Sequence, residues 1–199
     1  MSEPQTSDSQ TIAATFHVLR RFCHNVALLL EASENLFIDD YNWKSALSYN
    51  LCVGGNSESL ENPMQWFPTR FFRCYTPKDH PEHMAYVSVL FDLPDGQEMT
   101  DGQTLLTAGL LTHESEDGWA KFRKDYSQYF KWHLLRDDRV DTAELTIHTP
   151  YRWNTKSLPY NWEKNSRRIK QAKTLGVSID RVTDSEGLQK IVKQLVDAI

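Results

Sequence analysis

Ile12, Phe16, Leu19, Cys23, Val26 and Leu30 follow one another at alternating intervals of four and three residues. At about 3.6 residues per turn, an α-helix brings all six to one side. The spacing therefore predicts a helix over residues 11–34, with Ser9 as its N-cap. Phe22 and Leu29 widen the stripe, so this helix is expected to bury one broad face. A helix of that kind needs an apolar surface to lie on, and the middle of the chain supplies strands.

Residues 70–75 (Arg-Phe-Phe-Arg-Cys-Tyr) and 84–93 (Met-Ala-Tyr-Val-Ser-Val-Leu-Phe-Asp-Leu) are rich in aromatic and β-branched side chains, and prolines bound them. Residues 104–112 are similarly apolar, and Asp95-Gly96 and Asp101-Gly102 supply turns before them. Three consecutive strands with short connections predict an antiparallel meander. Residues 140–149 alternate Ala143, Leu145 and Ile147 with Glu144, Thr146 and His148, the pattern of a strand with one wet side. A weaker strand is expected at 47–53, before the turn Gly54-Gly55-Asn56. Trp119, Phe122, Tyr126 and Phe130 predict a second helix after Asp117-Gly118. The fold class expected is α+β: a two-layer antiparallel sheet of about four or five strands with helices on one face, plus a C-terminal strand–helix unit.

In that unit, residues 166–175 read as a short basic helix stopped at Gly176, and 177–182 as a strand. Thr183-Asp184-Ser185-Glu186 has capping-box spacing before a helix carrying Leu188, Ile191, Val192 and Leu195. The unit is expected to add to an edge of the sheet, to form a small lobe, or to pair with another chain. By domain, residues 1–10 read as a polar, disordered tail, 11–150 as the α+β core, and 151–199 as a basic aromatic arm with the strand–helix unit.

The chain is 199 residues long with net charge −5, and no apolar run approaches the roughly 18 residues of a membrane span. The N-terminus lacks the basic and apolar regions of a secretory signal. Cys23, Cys52 and Cys74 are three in number, with no CxxC, which predicts reduced thiols and a cytoplasmic location. No Walker A loop, GxGxxG, GxSxG, HExxH or EF-hand loop is present, so the commonest nucleotide, hydrolase and metalloprotease chemistries lack their motifs.

Charge is distributed unevenly. Between Arg152 and Lys173 lie seven cations and a single Glu163, so this segment carries +6 and the remainder −11. Pro150-Tyr151-Arg152-Trp153-Asn154 is echoed nine residues later by Pro159-Tyr160-Asn161-Trp162-Glu163. Aromatic and Arg side chains dominate protein–protein contacts, so Tyr151, Arg152, Trp153, Tyr160, Trp162, Arg167 and Arg168 are the candidate binding residues, for a protein partner or a second copy of the chain. The same residues could stack on bases and meet phosphates, and Arg20 and Arg21 could join them, in a nucleic-acid module. Overall negative charge opposes that alternative.

An enzyme is the third class. His80 and His83 in Asp79-His80-Pro81-Glu82-His83, with His113 and Glu114, are its first candidates, and it requires at least three of them to converge. The bland account of the first cluster is a solvated connection between strands, and of the second an acidic helix start. No metal, cofactor or membrane is expected. His17, Arg21 and His24, with Arg20 beside them, form a basic strip along the first helix.

Overall fold

A computed structural model describes residues 8–46, 52–54, 70–90, 104–114, 142–148, 169–182 and 184–199. The long helix α1 spans Asp8–Asn35 and widens into a π-helical turn, Leu36–Asp40. Ser9 thus lies inside the helix rather than capping it. Asn42, with φ 57°, takes the left-handed conformation that Asn tolerates well. Its side-chain oxygen accepts from the Lys78 ammonium, which ties the reversal to the sheet.

The strands are β1 (Trp43–Ser45), β2 (Cys52–Gly54), β3 (Arg70–Pro77), β4 (His83–Leu90), β5 (Leu105–His113), β6 (Thr142–His148) and β7 (Ile169–Ser178). All pairings are antiparallel, in the order β1-β3-β4-β5-β7-β6, with β2 also on β3. The fold is α+β, and five of the seven strands among the described residues are long. The meander β3-β4-β5 matches the expectation from composition. Of the weak strand expected at 47–53, Cys52 and Val53 belong to the three-residue strand β2, which, like β1, is laid along β3, and residues 47–51 lie outside the described residues.

The C-terminal third differs most from its sequence pattern. Residues 169–178 form β7, not a basic helix, and β7 is interior, between β5 and β6. The unit is therefore neither an edge addition nor a separate lobe. Pairing on both sides overrides local helical preference, as sheet context commonly does. Small residues make the fit: Ala172, Thr174 and Gly176 stand in register with Leu111, Gly109 and Thr107 of β5. At Gly109 a β-carbon would overlap the Tyr86 ring and lie 2.9 Å from the Lys173 carbonyl oxygen, so only glycine lets β4, β5 and β7 approach this closely. Residues 179–181, expected as strand, form a 3₁₀ turn. Helix α2 follows at Ser185–Val196. Its cap is Asp184, whose carboxylate accepts from the Gly187 amide at 2.8 Å.

One face of the sheet packs against the helices. Helix α1 crosses β3 and β4, α2 crosses β5, and the helices touch each other. Their shared core holds Val26 and Leu30 of α1, Ala85, Val87 and Val89 of β4, Leu106, Ala108 and Leu110 of β5, and Leu188, Val192 and Leu195 of α2. Phe37, in the π turn, stacks on Tyr75 at 4.3 Å and meets Trp43 at 5.0 Å, so aromatic contacts fix the end of α1. An ion pair from Glu34 to Arg73 ties α1 to β3. The opposite face is also buried. It combines Phe72, Met84, Tyr86 and Leu111 with the polar residues Arg70, Ser88, Thr107, His113 and Thr174. Among the described residues no helix is long and apolar enough to cross a membrane.

Candidate functional site

The expected broad buried face of α1 exists only at its C-terminal end. Val26, Leu30 and Ser33 are its buried residues. Toward the N-terminus the same seam continues as Cys23 and Leu19, half-buried, and then as Phe16 and Ile12, 54% and 57% exposed. Residues 8–18 are all exposed, an overhang of about 16 Å at the α-helical rise. Val18, 66% exposed, extends the apolar surface onto the adjoining side, with Ala14 and Phe22 beside it. A helix stripe of this width is ordinarily placed against a partner surface.

The flank of the overhang is basic. His17, Arg20, Arg21 and His24 are exposed, and residues 9–30 contain no carboxylate. This stretch carries +2 (His neutral) on a chain of −5, which leaves −7 elsewhere.

The other end of α1 has the opposite character. Between the end of α1, the π turn and the start of α2 lies a groove of about 230 Å³. Ala32, Leu36 and Leu188 give it an apolar floor, and Asp39 and Asp40 stand in its wall. Both aspartates are exposed, and neither forms an ion pair with another described residue. Asp184 caps α2 beside this groove, and Glu186 is held by Lys190 at 2.8 Å.

The histidine candidates divide. The Glu82 carboxylate lies 3.4 Å from His80 Nδ1 and 3.5 Å from His83 Nε2, and the two rings are 6.1 Å apart. His83 Nδ1 lies 3.1 Å from Thr112 Oγ1, so His83 and Thr112 share the helix-side face of the sheet. Burial holds the His83 imidazole below its ordinary value; the Glu82 carboxylate opposes the shift, while His80, Lys173 and Lys170 add to it. His113 follows Thr112 on the strand and is buried on the other face, and Glu114 is exposed beyond the strand end. The four groups proposed for catalysis therefore do not meet at one point. Among the described residues no group of three His, Cys, Asp or Glu side chains is placed to hold a metal.

Tyr151, Arg152, Trp153, Tyr160, Trp162, Arg167 and Arg168 lie outside the described residues, as does the helix expected around Trp119. From the basic segment, Lys170 and Lys173 are described: both belong to β7, and the Lys173 ammonium donates to the Ala198 carbonyl. Cys74 is buried and Cys23 half-buried. The overhang was missed in the sequence because an apolar stripe shows which side of a helix is greasy, not how far along it the core extends. One signal was available: residues 9–30 lack the acidic residues that the rest of the chain carries in excess.

Compared with known protein families, curated proteins and solved structures, the chain matches none.

Proposed function

We propose that the chain is a non-enzymatic protein-association domain and that α1 is its contact element. The observation that carries this reading is the continuity of the α1 seam: residues that fill the core at Val26 and Leu30 recur, at unbroken spacing, as exposed Ile12 and Phe16. Burying a large apolar side chain is worth about 1.5–3 kcal/mol, so two such residues and Val18 supply a substantial drive toward a covering surface. The basic aromatic segment 151–168 remains a second contact element in this reading, on composition alone.

Photo-crosslinking in the host cell tests it. A photoreactive side chain at Val18 is expected to give a discrete protein adduct identifiable by mass. The same group at Lys44, exposed on the edge strand β1, is expected to give none. Equal adducts at both positions, or none at Val18, would overturn the reading.

A further inference from the structure

We infer that the protein contacted by the α1 overhang is a second copy of this chain, and that the overhang seats in the groove at the far end of the partner's α1. This inference rests on the association reading above and names its partner.

Each surface has the character the other lacks. The overhang offers Phe16 and Ile12 with the exposed Arg20 one turn beyond Phe16, whereas the groove offers Leu36 and Leu188 flanked by Asp39 and Asp40. Opposite charges around matched apolar centres set register and exclude like-charged alternatives. A symmetric pairing of two overhangs would instead bring together two elements that are both basic.

The rest of the fold makes the contact intermolecular. Ala14 and Asn35 belong to one continuous helix, 21 residues apart, which is about 30 Å at 1.5 Å per residue. The Glu34–Arg73 ion pair and the Phe37 stack hold the groove end of that helix on the sheet. A straight helix cannot bend its first turns into a groove beside its own last turn. Two different patches are used, so the contact is head-to-tail: two copies close it by exchanging overhangs, or more copies continue it as an open chain.

Sedimentation velocity on the purified full chain, over a wide concentration range and at two salt levels, tests the inference. The wild type is expected to associate as concentration rises, and salt to weaken it, because the charges are exposed. Two double variants then separate the surfaces. Ile12→Asp/Phe16→Asp removes the overhang and keeps the groove. Asp39→Lys/Asp40→Lys reverses the groove and keeps the overhang. All four positions are exposed, and circular dichroism checks that each variant is folded.

Each variant alone is expected to be monomeric, and an equimolar mixture to form a heterodimer through the one intact overhang and the one intact groove. Adding Arg20→Glu/Arg21→Glu to the reversed-groove chain is expected to restore its self-association. A monomeric wild type at every concentration, a mixture that stays monomeric, or a reversed-groove chain that associates like wild type would overturn the inference. A monomeric wild type whose Val18 crosslinks to a different protein would overturn self-docking alone and leave the association reading standing.

Discussion

The phenolic oxygen of Tyr75 lies 3.2 Å from Ser33 Oγ, and the serine hydroxyl donates in turn to the Leu30 carbonyl at 2.7 Å. Both side chains are fully buried. The serine proton is committed to its own helix, so Tyr75 is the donor in the bond between them. This relay joins α1 to the middle of β3.

Its direction makes the two halves unequal. Tyr75→Phe removes a donor and leaves Ser33 bonded to Leu30, a loss of about 1 kcal/mol. Ser33→Ala strands a buried phenol and is expected to cost more, about 1–3 kcal/mol. Urea denaturation of the two variants gives the order. Burial also pushes the Tyr75 phenol well above its ordinary value. A raised folded value gives stability that is complete below about pH 10 and declines above it, as the unfolded chain ionises first. That alkaline decline should be shallower in Tyr75→Phe.

His83 has the opposite sign. Its folded value is depressed, chiefly by burial. Below about pH 6.5 the unfolded chain takes up a proton that the folded chain resists, so stability falls as pH falls. Melting temperature is expected to drop between pH 7 and pH 5, and the drop to be smaller in His83→Gln. An identical drop in both would remove His83 from the cause.

Gly109→Ala tests the close approach of three strands. The added methyl meets the Tyr86 ring and the Lys173 carbonyl, and overpacking of this kind costs about 1–3 kcal/mol. Combining it with Tyr86→Ala is expected to add to the loss rather than rescue it, because the Lys173 backbone cannot withdraw without disturbing the β5–β7 ladder. Full rescue by Tyr86→Ala would show that the carbonyl contact is of no consequence.

Exchange of backbone amides should divide α1 in two. A helix of three turns whose residues are all exposed is marginal. In dilute protein, amides of residues 12–18 are therefore expected to exchange much faster than those of 26–35, which sit on the core. At concentrations that permit association the first group should gain protection. Uniform protection along α1 in dilute solution would contradict the overhang.

The sequence made the α+β class legible because its two strongest signals, the four–three spacing of α1 and the apolar runs of β3, β4 and β5, each fix a local structure. It was misleading where neighbours decide. Residues 166–175 look helical by charge and composition, yet Ala172, Thr174 and Gly176 are small because β5 lies against them. The α2 cap was one residue off: the predicted box centred on Thr183 and Glu186, whereas Asp184 accepts from Gly187. The overhang and the groove follow from where the sheet ends relative to α1, a property of the assembled fold that no window of sequence contains.

The interior position of β7 has a consequence for the order in which the sheet is completed during synthesis. β6 leaves the ribosome first, but its only ladder among the described strands is with β7, more than twenty residues later. Until residues 169–178 emerge, one edge of β5 and the β6 strand both lack the partner that the described sheet gives them. Chains elongate at about 5–20 residues per second, so both edges stand open for a few seconds at most in normal synthesis. In a chain broken off before Ile169 they would stay open, and unpaired apolar edges of this kind are templates for aggregation.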